Sequence, residues 1–397
     1  MLVRFAVENF LSFGPRWQLD LRAPEGTESA PLGPILPDGF RVLPLALIVG
    51  DAATGKSNLL KALAQLRQLA LHGQKPGQRA SLPVCRLASP PRSDVAFAIE
   101  VFAQDALYRY ELALRPEQVD AESLSVCVRG EPEQLVFRRE RKNPILQLTD
   151  VKVGPGARSE RGLWESLAVH LGAEQPLFAA ALAEGSQVAA PFGAWLSEQL
   201  QLIRPEPRVT GLSARAAHHP AFAEKLAELL RGSGLPVTHV AARKTPIGPD
   251  YFENEEEQRQ VVSALLGYPD AFVQTPDGEL IAEREGNFVD LFLTSLQVGL
   301  RGPSGRESDF SPSELSETAL RLLHLSPLAI PPGQSQPPVF FVDDLGRGLA
   351  VDTVNRLLSS TDRPATSQVI ATATADSFLL RLVPEQAQRV LPALVPK

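Results

Sequence analysis

Cysteine is nearly missing from this chain of 397 residues: the two present, Cys85 and Cys127, share no CxxC spacing. They form no ligand pattern with the six histidines, so neither a zinc site nor a disulfide framework is expected, and the usage suits a reducing compartment. Long apolar runs are missing too. No stretch approaches the ~20 residues of a helical membrane span. The opening "MLVRFAVENFLSF" has too short an apolar run, and charges in the wrong places, for a signal peptide. These absences lead to the expectation of a soluble, cytoplasmic protein. An excess of positive charge is also lacking. With 39 Lys and Arg against 46 Asp and Glu, the net charge is −7 and the pI near 5.6, so any nucleic-acid contact has to be local. "FRRERK" (137–142) is one candidate, although short mixed-sign runs of this kind are common on solvated strand ends.

What is present is apolar sequence in quantity, 44% of the chain, enough for a large core and for two or three domains or one domain with big insertions. "LVRFAVENF" alternates enough for an edge strand, and "VLPLALIVG" (42–50) is a continuous apolar run suited to a strand buried on both faces. From Lys56 the period turns helical through Leu59, Leu60, Leu63 and Leu66, and Gly73 supplies the stop. Between about 94 and 140 a period of two predicts an antiparallel meander. Residues 160–232 read as helical, with Phe222, Leu226, Leu229 and Leu230 on one face, and "VQTPDGELIAER" carries a hairpin turn at Asp277-Gly278. "SELSETALRLLHL" predicts a helix, followed by the Pro-rich loop "PLAIPPGQSQPP" and the apolar strand "PVFFVDD".

Gly50-x-x-x-x-Gly55-Lys56-Ser57 fits a phosphate-binding loop, in which backbone N–H groups wrap phosphates, the lysine reaches the β and γ groups and the hydroxyl meets Mg²⁺. A buried strand before it and a helix after it favour that reading over an ordinary turn. Such a loop needs an acidic partner at the end of a strand of the same parallel sheet, and Asp343 in "VFFVDD" supplies it. Asp343 lies 343 − 56 = 287 residues beyond Lys56, too far for a small nucleotide kinase, so a large insertion within one nucleotide-binding fold is implied. The acidic run 250–260 reads as a solvated helix start, His218-His219 as surface residues beginning a helix, and Trp164 and Trp195 as core.

With these motifs in this order, the chain resembles stand-alone ABC-type P-loop ATPases of the SMC, RecF and OLD-like kind, in particular the bacterial abortive-infection group. The opening and the GKSN loop carry most of the resemblance, which spans nearly the whole chain. It implies an α/β P-loop fold with an antiparallel β lobe and a helical insertion: an N-terminal lobe 1–84, a β lobe 85–150, a helical insertion 151–270 and a C-terminal lobe 271–397. It further implies ATP held by Gly50, Ala53, Thr54, Gly55, Lys56, Ser57 and Asn58, Mg²⁺ held by Ser57 and Asp343, and Asn9 to Phe13 near the adenine. Residues 313–323 would form a signature helix whose Ser316 caps the γ-phosphate of a second copy, giving a homodimer with ATP sandwiched between chains. A nuclease or toxin effector, or DNA, would be the partner, in phage defence or DNA repair.

Four departures fall on the hydrolytic side. Asp344 replaces the usual catalytic glutamate, retracting the base by roughly 1.5 Å. Thr318 takes the place of a signature glycine, Thr374 that of the switch histidine, and Gly348-Leu349-Ala350 that of a Ser-Leu-His loop. ATP binding with slow hydrolysis is therefore expected, Asp344 and Ser316 being the catalytic candidates. The rival reading is a nucleotide-dependent scaffold that no longer hydrolyses.

Overall fold

The computed structural model describes residues 1–24, 32–74, 82–88, 90–116, 118–143, 148–206, 209–267, 270–285, 288–331, 336–364, 366–384 and 387–391. The chain divides into two compact units. One comprises Met1–Pro205, Gly333–Gly346 and Pro364–Lys397; the other comprises Glu206–Pro332 and Arg347–Arg363.

The first unit opens with β1 (Leu2–Glu8), β2 (Trp17–Asp20), β3 (Leu45–Val49) and α1 (Lys56–His72). The meander follows as β4 (Val95–Ala103), β5 (Ala106–Arg115), β6 (Gln118–Val128), β7 (Gln134–Asn143) and β8 (Leu148–Val153). Next come α2 (Arg161–His170), α3 (Leu177–Ala183), α4 (Ala190–Ala194) and β9 (Leu200–Ile203). The second unit holds α5 (Leu212–His218), α6 (Pro220–Gly232), β10 (Val237–Pro246), α7 (Glu255–Leu266), β11 (Val273–Thr275), β12 (Gly278–Glu285), β13 (Phe288–Arg301), β14 (Glu307–Phe310) and α8 (Glu317–Ala329). The chain then supplies β15 (Val339–Val342) to the first unit, α9 (Val351–Leu358) to the second, and β16 (Gln368–Ala373), α10 (Leu379–Leu382) and β17 (Gln388–Val390) to the first. Among the described residues no helix is long and apolar enough to cross a membrane.

In the first unit an antiparallel sheet runs β2-β1-β4-β5-β6-β7-β8, and a parallel sheet runs β17-β3-β16-β15-β9. The fold is α/β. The strand expected at the edge, β1, sits between β2 and β4 instead, with Leu2, Val3, Phe5, Ala6 and Val7 buried. Its alternation is weak because both faces are covered, the condition under which period-two patterning fades. Leu59, Leu60, Leu63, Leu66 and Leu69 of α1 enter the same core as Phe5, Ile48, Phe97, Phe341 and Ile370. Full burial of a leucine contributes roughly 2 kcal/mol, so α1 is anchored by its apolar face. Gly73, at φ 65°, ends it and donates its N–H to the Leu69 carbonyl. Trp164 and Trp195 are fully buried, Trp164 stacking on Phe137. Gln368 ties the two sheets: its amide donates to the Leu2 and Leu43 carbonyls at 2.9 Å and its oxygen accepts from the Leu2 N–H at 2.7 Å.

Two basic residues of β7 are committed within the fold. Arg139 is buried and donates to the Gln175 and Gly172 carbonyls at 2.6 and 3.0 Å, and Arg141 pairs with Asp120 at 3.1 Å.

The second unit has its own antiparallel sheet, β10-β13-β12-β11, with β14 on β13. Phe222, Leu226 and Leu230 of α6 are buried, as the period required, with Leu229 only half-buried. The acidic run begins α7, where Asn254 accepts the Glu257 N–H at 2.9 Å and three glutamates occupy the positive end of the helix. The helix read from residue 313 begins later. Pro312–Glu314 form a 3₁₀ turn closed by a Ser311/Glu314 capping box, and α8 starts only at Glu317. It also runs on through Pro327 to Ala329, which shortens the expected Pro-rich loop, whose residues 332–335 lie outside the described set.

Candidate functional site

Parallel strands bring their C-terminal ends to one edge of a sheet, and the connections leaving that edge form a crevice. Here β3, β16 and β15 run side by side: Val49 pairs with Ala373, Ala371 with Leu47, and Val342 with Ala371. The loop 50–55 leaves the end of β3, and Asp343 and Asp344 leave the end of β15. Only β16 lies between, so the two candidate groups stand about two strand spacings apart, roughly 9.5 Å. A separation of 287 residues in sequence thus closes to one sheet edge.

Several devices shape the loop. Ala53 and Gly55 adopt positive φ, 61° and 99°. Thr54 is buried and donates its hydroxyl to the Asp51 carbonyl at 2.9 Å. A Cβ at Gly50 would meet Thr54 Oγ1 at 2.6 Å, and one at Gly55 would collide with Ser12 Oγ, so both positions need glycine. Lys56 Nζ curls back onto the loop, donating to the carbonyls of Gly50 at 2.8 Å and Asp51 at 2.7 Å. The loop therefore encircles its own ammonium group and opens into the first turn of α1, where N–H groups lacking intrahelical partners favour an anion. Ser57 is exposed on that turn.

Ser12 was not singled out from the sequence, yet it abuts the loop. Asn58 Nδ2 donates to its hydroxyl at 3.0 Å, linking the 9–13 turn to α1. Asn9 is fully buried at φ 52° and donates to the Arg92 and Asp94 carbonyls, which fixes the turn.

On the acidic side, Asp343 is buried and its N–H donates to the Ile203 carbonyl at 2.9 Å. Asp344 is partly exposed and holds φ 51°, a conformation that costs a non-glycine residue about 1 kcal/mol and signals a position fixed by its surroundings. Thr372 on β16 is the residue between them that the sequence reading passed over. Thr374, where the resemblance leads to the expectation of a histidine, follows β16 and its hydroxyl bonds Asp376, holding that carboxyl below the usual carboxylate range. Ala350 is the N-cap of α9 and makes no side-chain hydrogen bond there.

In the second unit Ser316 is the N-cap of α8. It is exposed, and accepts the Ala319 N–H at 3.3 Å. Thr318 donates to the Gly348 carbonyl at 3.3 Å, and Glu317 pairs with Arg347 at 3.5 Å.

Residues 45–372 match the family described as "AAA domain, putative AbiEii toxin, Type IV TA system". The chain belongs to this family. Both halves of the site, the loop after β3 and the acidic end of β15, fall within the matched span, so they are parts of an ATPase-like AAA domain. Solved structures similar to it include the SmcHead bound to the C-winged helix domain of ScpA, at 13% identity over 94% of this chain and 90% of that one, TM-score 0.42. The recombination mediator protein RecF-ATPrS of the RecFOR pathway matches at 14% over 95% and 93%, TM-score 0.39. The SMC head domain from Thermotoga maritima matches at 12% over 94% and 88%, TM-score 0.31. Overlaps this loose add no weight to a functional reading. No functionally curated protein matches the sequence significantly.

Proposed function

We propose that the chain binds Mg-ATP in the loop 50–57 and hydrolyses it slowly, ATP-dependent pairing of two copies being its output. The observation that carries this is the juxtaposition of the glycine-shaped loop and the Asp343-Asp344 pair at one edge of a parallel sheet with a single strand between them. Gly50 and Gly55 leave room for backbone to approach phosphate, and Lys56 would exchange its two carbonyls for β and γ oxygens. The Ser57 hydroxyl and the Asp343 carboxylate are hard oxygen donors of the kind Mg²⁺ takes, and they would hold it; bound there, Mg²⁺ would neutralise charge on the phosphates. Asp344 is the base nearest to this pair in sequence and would orient the attacking water. Ser316 of a second copy, exposed at a helix N-terminus, would close over the γ-phosphate. A nuclease or toxin partner, or DNA, would read the paired state; this part rests on the family's description and the resemblance.

Steady-state ATP turnover of wild type, Lys56→Ala and Asp344→Glu tests the reading. Turnover well below 1 s⁻¹ in wild type, lost in Lys56→Ala and raised in Asp344→Glu, is expected. Wild-type turnover at or above that rate with no gain in Asp344→Glu overturns the slow-hydrolysis claim. Binding with no turnover in any variant identifies a nucleotide-gated scaffold.

A further inference from the structure

Thr372 is fully buried in β16, among the buried apolar residues Ile370, Ala371 and Ala373. A hydroxyl in such surroundings costs about 1–3 kcal/mol if left without partners. This one has two. Oγ1 lies 2.6 Å from Asp343 Oδ1 and 2.8 Å from the Asp344 backbone nitrogen. The polarity of this pair of bonds is fixed by chemistry. The Asp344 N–H is a donor only, so the hydroxyl accepts there, and its single proton goes to Asp343, which accepts. The Leu345 N–H adds a third bond, to the Thr372 carbonyl at 3.3 Å. One residue of the central strand thus grips three consecutive residues of the acidic turn, including Asp344 in its left-handed conformation.

We propose that Thr372 is the positioning residue of the metal half of the site: its hydroxyl presets the Asp343 carboxylate for a divalent cation and holds the turn that aims Asp344. This inference rests on the Mg-ATP reading above. A threonine that only filled space would be replaceable by valine, which has its shape without its hydroxyl, whereas a positioning hydroxyl would be replaceable by serine. Loss of an outer partner of a metal-binding carboxylate weakens metal affinity by about 10–100-fold.

The test uses the full chain and a fluorescent ATP analogue, titrated in EDTA and then with increasing Mg²⁺, for wild type, Thr372→Val and Thr372→Ser. The expected result is unchanged analogue binding in EDTA for all three. The Mg²⁺ concentration for half-maximal tightening should rise at least about tenfold in Thr372→Val and less than about threefold in Thr372→Ser. In an Asp343→Asn background, Thr372→Val should add no further shift, because the bond it removes no longer serves a metal-binding carboxylate. Thermal melting checks that each variant folds; should Thr372→Val fail, Thr372→Cys, close to serine in size and a far weaker donor, takes its place with the same expected order. Identical Mg²⁺ dependence in wild type and Thr372→Val overturns the assignment and leaves the ATP site standing. Absence of analogue binding by wild type at any Mg²⁺ concentration overturns the ATP site and the assignment together.

Discussion

Gly55 is the position at which one added methyl group tests the shape of the loop most severely. Its φ of 99° lies where an L-residue pays about 1–2 kcal/mol, and a Cβ there would lie well inside contact distance of Ser12 Oγ. Relieving the collision means moving Ser12 and straining its bond from Asn58, a further cost of about 1–3 kcal/mol. Gly55→Ala is therefore expected to destabilise the protein by about 2–5 kcal/mol. The two contributions separate in a double-mutant cycle. Ser12→Ala removes the colliding oxygen and leaves its Cβ at 3.2 Å, a tight but tolerable contact. The double variant should then retain the backbone strain and lose the collision, giving a favourable coupling of about 1–3 kcal/mol from urea midpoints at a common slope. Additivity within about 0.5 kcal/mol refutes the packing of the 9–13 turn against the loop.

Arg139→Ala should cost about 2–4 kcal/mol in urea unfolding, because it strips two carbonyls of a buried charged donor, while the exposed Arg138→Ala stays within about 0.5 kcal/mol. Phe341→Ala, on the fully buried inner strand β15, should cost about 3–5 kcal/mol in the same assay. Glu122 gives a pH test. Burial raises its carboxyl above the ordinary value of 4.5, against the opposing bonds from the Phe178 and Leu177 N–H groups and the Tyr110 hydroxyl and the charge of Arg139. A raised folded value means the native state binds the proton more tightly than the unfolded chain. Its contribution is fully present below about pH 4.5 and is lost as pH rises through the folded value. Urea midpoints of Glu122→Gln relative to wild type should therefore climb across that window, and a flat difference contradicts the assignment.

Much of the loop side of the candidate site was legible because it is local. The run 45–49, the loop and the helix from Lys56 occupy one continuous stretch, and each rests on a pattern of period, glycine spacing and stop signal. The meander was equally plain, since β4 and β5 face the core on one side and largely alternate. Two of the misreadings share a cause in long-range pairing. β1 looked like an edge because nothing local shows that β2 and β4 will flank it. The four residues of β9 are strand only through their pairing with β15, some 140 positions away. α8 begins four residues later than its apolar period suggested because Ser311-Pro312-x-Glu314 closes a separate turn, a capping-box signal that the sequence did contain. Ser12 lay within the opening stretch without a role of its own, and Thr372 carried no motif. Each is an ordinary hydroxyl whose role depends on a neighbour 46 or 29 residues away.

Direct titration of Mg-ATP into wild type and Lys56→Ala, followed calorimetrically, tests the central claim of a nucleotide site built from the loop 50–57. Saturable binding to wild type, weakened at least about a hundredfold when the charge-assisted contacts of Lys56 are removed, is the predicted result. Wild type that takes up no ATP, or Lys56→Ala that binds it as tightly as wild type, contradicts the claim.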